Sequence, residues 1–280
     1  MATDLIATAR KAVTAPLGVL DQLGDQLSFY GRSLGWAPRT VRRYKKEVLR
    51  LLGEVVFGTG GLAVIGGTVG VIAFLCFFTG TEVGLQGYAA LDQLGVASYS
   101  GFITAFFNTR EIAPIQAGLA LSATVGCGFT AQLGAMRISE EIDALEVMAV
   151  PSVPFLVTTR IIAGFIAVIP LYIIGLLSSY LASYAIVVYY FGDSAGTYSH
   201  YFHLFLPPQD VIYSFLKVLI FAIVIILTHC YYGYHASGGP AGVGVAVGRA
   251  VRFAIIAVII LDFFLSFAIW GSTTSVRLAG

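Results

Sequence analysis

Long stretches without a formal charge alternate with short polar ones along this chain. Residues 55–81, 112–136, 161–192 and 218–248 carry none, and 253–276 holds only Asp262. About 20 apolar residues cross the ~30 Å hydrocarbon core of a bilayer, so the five runs predict five transmembrane helices of an all-α, polytopic membrane protein. As one helix the run 161–192 would be about 48 Å long at ~1.5 Å per residue. It therefore tilts strongly or projects its tyrosine-rich end, with Tyr184, Tyr189 and Tyr190, beyond the bilayer. Residues 83–110 are moderately apolar but interrupted by Asp92 and closed by Arg110 and Glu111, which predicts a helix on the outer membrane face or a re-entrant piece lining a cavity. In the first run Gly58, Gly60, Gly61, Gly66, Gly67 and Gly70 include Gly66-x-x-x-Gly70, a spacing that lets helices approach closely, within the chain or across a dimer.

Two stretches are amphipathic rather than apolar. Between Pro38 and Gly53, Val41, Tyr44, Val48, Leu51 and Leu52 form one helical stripe, with Arg42, Arg43, Lys45, Lys46 and Arg50 spread around the rest. That pattern fits an interfacial helix on anionic headgroups, or a solvated basic stretch that only sets topology. The organisation expected is therefore an N-terminal interfacial region over 1–53 and a membrane domain over 54–280. The second stretch, ISEEIDALEVM at 138–148, places Glu140, Glu141, Asp143 and Glu146 within seven residues. With Ser139 as N-cap, these acids favour the first turn of a short helix. Its apolar face would carry Ile138, Ile142, Leu145 and Ala149, and Pro151 and Pro154 would end it.

Composition sharpens the class: 58% of residues are hydrophobic and 11% charged, far below the ~25% charged share of soluble domains. No short apolar core with a cleavage site follows the polar first 50 residues, so the N-terminus is expected to be retained. The net charge of +1 is uninformative, but the placement of charge is not. Nine of sixteen Lys and Arg precede residue 51, Arg137 and Arg160 flank the acidic run, and Arg249 and Arg252 lie in the fourth turn. The other side holds only Arg277, with Arg110 and Lys217 at or inside span boundaries. The positive-inside rule then puts the N-terminus and acidic run in the cytoplasm and the C-terminus in the periplasm, for an inner-membrane protein.

Candidate chemistry is sparse. Cys76, Cys127 and Cys230 sit in separate apolar runs and read as packing residues. His200 and His203 lie in aromatic-belt composition, where metal binding is not expected, and His229 and His235 read as interfacial hydrogen bonders at the cytoplasmic end of the fourth span. ASGGPAGVG lacks the Lys-Ser/Thr ending of a phosphate-binding loop, and no G-x-S-x-G occurs for a hydrolase. No catalytic residue, bound cofactor or nucleic-acid partner is therefore expected. Four intramembrane charges remain. Arg110 and Glu111 could neutralise one another at the entry of the second span or contact a headgroup. Lys217 could snorkel outward. Asp262, ~15 Å from Arg252 along its helix, needs a buried partner, a cavity or a proton. A docking helix resting on the membrane domain and an inert acidic loop both fit residues 138–148 by physics alone.

The stretch from Arg110 to Arg160, above all QLGAMRISEEIDALEVMAV, resembles the MlaE-type permeases and, among them, the actinobacterial YrbE proteins of Mce lipid-transport systems. The likeness continues through GTYSHYFHLFLPPQD and HCYYGYHASGGPAGVGVAVGRAVR, which look like the B-type YrbE subunit. The resemblance implies an interfacial helix, five spans, and a coupling helix between spans 2 and 3 that docks into an ABC ATPase, here Ser139, Glu140, Glu141, Asp143, Ala144, Leu145 and Glu146. It places Arg110 and Glu111 beside a lipid cavity, to which Lys217 and Asp262 are added as candidates. Relatives carry Arg near Thr124 and Glu at Gln132, a double departure that suggests one half of a heterodimer. Implied partners are an A-type YrbE subunit, an ABC ATPase dimer holding ATP and Mg, outer-face Mce proteins, and a lipid. The function expected is lipid movement across the membrane, as import, with fatty or mycolic acids, sterols and phospholipids all open. The alternative is an ion-gradient-driven transporter of a hydrophobic substrate using Asp262, Glu111 and Lys217, against which five spans without an inverted repeat stand.

Overall fold

The computed structural model describes residues 23–57 and 67–271 of the 280-residue chain. The described residues are almost entirely helical and contain no strand. After a helical segment over 23–35 (α1) come α2 (Ala37–Arg43) and α3 (Lys45–Phe57). Five helices long and apolar enough to cross a membrane follow: α4 (Thr68–Gln93), α5 (Ala97–Ile138), α7 (Val153–Tyr190), α9 (Pro208–Tyr234) and α10 (Gly239–Trp270). The short α6 (Glu141–Val147) joins α5 to α7, and α8 (Ala195–Leu204) joins α7 to α9. The end of the bundle that carries α6, α1–α3 and the α9–α10 turn is the α6 face.

Five spans are present, but their limits differ from those the charge gaps predict. The first crossing begins at Thr68 and runs through Glu82 to Gln93, because the apolar residues at 55–57 belong to α3, on the α6 face. Residues 83–110 are neither a surface helix nor re-entrant: they close α4, turn at 94–96 and open α5. Glu82 misleads the charge count because it lies exposed at the middle of α4, and Asp92 because it lies in the last turn of the same helix. The 38-residue α7 leaves Tyr189 and Tyr190 exposed at its end, whereas Tyr184 packs on Tyr198 of α8. The basic N-terminal stripe is not one helix but two, broken at Tyr44. Leu51 is fully buried with Val48 against Ala163 of α7, whereas Val41 is exposed.

Packing between α4 and α7 rests on small residues, though not on the Gly66/Gly70 pair. Gly58, Gly60, Gly61 and Gly66 lie outside the described residues, and Gly67 and Gly70 are buried. The close approach occurs about two to four turns beyond Gly70. Cys76 Sγ lies 3.0 Å from where a Cβ on Gly175 would sit, Gly80 abuts the Ser179 backbone, and Gly84 faces the Ser183 Cα at 3.2 Å. Both helices advance four residues between contacts, so they run parallel with backbones nearly touching, as small-x-x-x-small surfaces allow. Ser183 Oγ donates to the Gly80 carbonyl at 2.7 Å and itself accepts from Asn108 Nδ2 of α5 at 2.8 Å. Three spans are thereby tied through one hydroxyl.

The helix α10 is the outlier in burial. Only 17% of its most apolar stretch is buried, against 56% for α5, and Ile256, Ile259, Ile260, Phe263, Phe264 and Phe267 are exposed. In α8, Tyr198 is buried against α5, its hydroxyl 2.8 Å from Thr104 Oγ1, and burial pushes that phenol up to about 12.

A side chain at Gly80 has to displace the Ser179 backbone. Gly80→Val is expected to destabilise the protein by about 1–3 kcal/mol, read as an earlier unfolding transition in detergent. Gly128→Ala, with nothing within 4 Å of the added carbon, is the control and should change stability by less than about 0.5 kcal/mol.

Candidate functional site

At the α6 face, the acidic run folds as a seven-residue helix clipped to the bundle. Ser139 is not its N-cap. Glu140 occupies that position in a left-handed conformation (φ 61°), and the Ser139 hydroxyl donates instead to the Ala135 carbonyl and to Glu141 Oε1, each at 3.0 Å. The chain turns so sharply out of α5 that a serine at the cap could not reach the first helical amides, so the dipole is left to Glu141 and Asp143. Of the anticipated apolar face only Ile142 is fully buried, with Leu145 half-buried against the core; Ile138 and Ala149 are exposed. Arg137 of α5 pairs with Asp143 at 2.7 Å. Glu146 Oε1 accepts from Ser152 Oγ at 2.6 Å, and Ser152 lies 2.7 Å from the Tyr234 hydroxyl of α9. The helix is therefore held to α5, α7 and α9, while Glu140, Glu141 and Ala144 are left facing out.

Sequence reasoning missed the tip. Val147 is 89% and Met148 64% exposed at the end of α6, before the chain turns at Ala149 (φ 58°). Beside them is a depression of about 510 Å³ lined by Arg32, Trp36, Glu146 and residues 149–154. Two consecutive exposed apolar residues beside Glu146 and a concave wall form a mixed apolar and acidic surface. Consecutive Val-Met at the end of an amphipathic helix was the available signal.

The four intramembrane charges form two adjoining networks away from the α6 face. In a π-helical segment of α5 (Asn108–Ile112), Arg110 is buried and its Nε and Nη2 both donate to Asp210 Oδ2 of α9, at 2.9 and 2.6 Å. Trp270 of α10 donates its indole N–H to Asp210 Oδ1 at 2.9 Å, and the guanidinium lies over the Phe106 ring at 4.2 Å. Arg110 and Glu111 are thus not each other's counter-ions: Arg110 belongs to Asp210, a residue the sequence reading passed over as part of a turn. Asp210 in PPQD, in the first turn of a proline-opened helix, was the signal.

Lys217 does not snorkel; it is fully buried. Its ammonium donates to the Arg110 carbonyl (2.8 Å), to Ser266 Oγ of α10 (2.6 Å) and to Glu111 Oε2 (3.3 Å). Asp262 Oδ1 lies 2.7 Å away, an ionic contact whose angle falls outside hydrogen-bond geometry. Ser266 closes the ring by donating to Glu111 Oε1 at 2.8 Å. The buried partner expected for Asp262 is therefore Lys217. The five ionisable groups comprise two cations and three carboxylates, and Glu111 is the partly open member, its side chain one-third exposed.

Nearer the α6 face, Gln132 donates to Glu54 Oε1 of α3 at 2.6 Å and accepts from buried Arg160 Nη2 at 3.1 Å. An amide does here what neither a carboxylate nor an ammonium could, serving an anion and a cation at once. Thr124 bonds only its own helix, at the Ala120 carbonyl. His229 is not interfacial: it is fully buried, with Nε2 3.0 Å from Ser122 Oγ and Nδ1 2.8 Å from Thr130 Oγ1, both on α5. His235 is exposed, its Nδ1–H donating to the Tyr231 carbonyl at 2.9 Å. His200 and His203 sit on α8, and no group of three or more metal-ligating side chains converges among the described residues. Cys76 and Cys230 are buried free thiols and Cys127 is half-buried.

Comparison with known proteins gives one family match, to Permease MlaE over residues 59–268. A probable ABC transporter permease protein of Rickettsia bellii is 31% identical over 70% of this chain and 76% of its own length. Protein TRIGALACTOSYLDIACYLGLYCEROL 1, chloroplastic, of Arabidopsis thaliana is 30% identical over 69% of this chain and 56% of its own. The intermembrane phospholipid transport system permease protein MlaE of Haemophilus influenzae is 28% identical over 70% of this chain and 75% of its own.

Lys217→Met leaves two carboxylates facing each other across an apolar packing. It is expected to cost about 3–5 kcal/mol, seen as loss of folded protein in detergent extracts or a much lower unfolding midpoint. Lys217→Met combined with Asp262→Leu removes the more buried of the two carboxylates, leaving the one-third-exposed Glu111, and should regain more than half of that loss.

Proposed function

The chain belongs to the MlaE permease family, and from that premise we propose that it is the membrane subunit of an ABC-type lipid transporter. ATP and Mg would be bound and hydrolysed on a separate ATPase dimer. The observation that carries this reading is α6: a helix clipped to three spans that turns Glu140, Glu141 and the Val147–Met148 tip outward. A loop needed only for solubility has no reason to be bonded to α5, α7 and α9 while exposing an apolar tip. The α6 face is then cytoplasmic, as the basic residues of α1–α3 favour, with the C-terminus on the periplasmic side.

Movement of α6 on ATPase closure would reach α5 through Arg137–Asp143 and α9 through Glu146–Ser152–Tyr234. Those helices carry Arg110, Glu111 and Lys217 at their other ends. The two π segments of α5, Asn108–Ile112 and Ser122–Gly126, are natural points for its axis to adjust. The lipid cavity would form where the sparsely buried α10 meets a second permease subunit, in this reading an A-type YrbE homologue, with Mce proteins delivering lipid for import on the outer face. The Haemophilus relative's name supports a phospholipid class of substrate; fatty or mycolic acids and sterols are the other members of that proposal.

The excess of carboxylates around Lys217 favours a second reading, proton- or ion-coupled transport. Reconstituted transport that continues without any ATPase would select it.

Glu140→Lys/Glu141→Lys/Asp143→Lys is expected to abolish co-purification of the ATPase while the permease pair stays assembled. Val147→Asp should weaken it at least about 10-fold, the scale of an interface hot spot. Undiminished ATPase association in both variants would overturn the docking assignment.

A further inference from the structure

A cavity of about 660 Å³ opens on the α6 face between α1, the end of α9 and the start of α10. Its volume is that of a small-molecule site. It lies 14 residues along α9 from Lys217, about 21 Å, and is separate from both networks above. Gln26, Tyr231, Tyr232, His235, Ser237 and Arg249 supply its polar lining, and Val245 and Ala246 of α10 its apolar wall.

The walls are fixed by aromatic packing. His235 lies against Phe29 of α1 (ring centroids 5.4 Å) and Tyr231 (4.5 Å), and its Nδ1 is committed to the Tyr231 carbonyl. Gln26 is buried and bonded to the Tyr30 hydroxyl, which in turn reaches Thr228 of α9. By contrast, Arg249 and Ser237 are exposed and Tyr232 is half-buried, and their guanidinium and hydroxyls bond no other described residue. No described carboxylate lines the cavity; Asp25, beside Gln26 in sequence, lies outside it, though its charge reaches the Tyr231 phenol. A cavity whose described lining holds an unpaired arginine, free hydroxyl donors and no carboxylate is complementary to an anion with several acceptor oxygens.

We propose that this cavity binds a phosphate group, with Arg249 as counter-ion and Ser237 and Tyr232 as donors, and that the phosphate belongs to a phospholipid of the leaflet on the α6 face. The apolar wall decides for a lipid. Val245 is 52% exposed, and beyond the exposed Arg249 and Arg252 the same side of α10 carries Phe253 and Ile256, along which an acyl chain can lie. Tyrosines at this depth match the aromatic belt where headgroups lie. Such a lipid would brace α1 against α9 and α10, and α1 also carries Arg32 to the depression beside α6.

The test uses the full chain with its partner subunits in detergent, titrated with dioctanoyl phosphatidylglycerol, dioctanoylglycerol and inorganic phosphate. The phosphatidylglycerol should bind saturably and dioctanoylglycerol should not. Arg249→Ala should weaken binding at least about 10-fold, the loss of one charge-assisted hydrogen bond, and Arg249→Lys should lose less. Val245→Trp, which fills the cavity without touching the phosphate ligands, should weaken the lipid as well. Inorganic phosphate binding with the same Arg249 dependence would retain the phosphate site and overturn the lipid as its source; no phosphate binding supports the lipid. Unchanged phosphatidylglycerol affinity in Arg249→Ala, with an unfolding midpoint like the wild type, would overturn the site. So would equal binding of dioctanoylglycerol. The ATPase co-purification of the α6 variants is independent of every outcome here.

Discussion

A lysine ammonium sealed from water inside an apolar bundle is tolerable only if its charge is answered on the spot, and Lys217 is sealed completely. Its contacts come from α5 (the Arg110 carbonyl and Glu111) and α10 (Asp262 and Ser266). Sliding any of the three helices by one turn would move a partner by about 5.4 Å and strand a charge. The ion network therefore sets the register of α5, α9 and α10 more sharply than apolar packing could, since lipid tails are as good a neighbour for leucine as another helix is. Arg110, Asp210 and Trp270 repeat the device one turn nearer the helix ends.

The other half of the bundle is set by shape. The parallel approach of α4 and α7 depends on Gly80 and Gly84 facing Ser179 and Ser183, and the Asn108–Ser183–Gly80 chain of hydrogen bonds joins that pair to α5. The helix α5 is thus common to both halves, and it continues directly into the turn that presents α6. A displacement of α6 has rigid routes into the membrane through helices whose far ends hold the buried charges. The two π segments lie in the same helix, one of them containing Arg110 itself.

Much of this was legible in the chain. Five charge-poor runs gave five long apolar helices, and Asp262 in an apolar run demanded a buried partner and has one. Boundaries were less legible. The apolar residues at 55–57 could not be told from a span, because a helix half-buried on the bundle and one crossing a bilayer look alike over a few residues. Asp210 ends the polar stretch PPQD and carries no local signal of its partner, yet the first turn of α9 brings it inward to Arg110. Ser139 has the chemistry of an N-cap, but the left-handed Glu140 takes the position from it.

Local sequence thus determined what each segment is: which stretches are long and apolar enough to leave water, which are amphipathic, where the charge is concentrated. Those properties follow from transfer energies and helical period, which depend on a residue and its near neighbours. Only the tertiary structure decided who answers whom. Lys217 meets residues 106 and 45 positions away, and Gln132 is placed between Glu54 and Arg160. The pairing of a buried charge depends on distance in space, and five helices of similar composition can be assembled in many ways until the charges choose one.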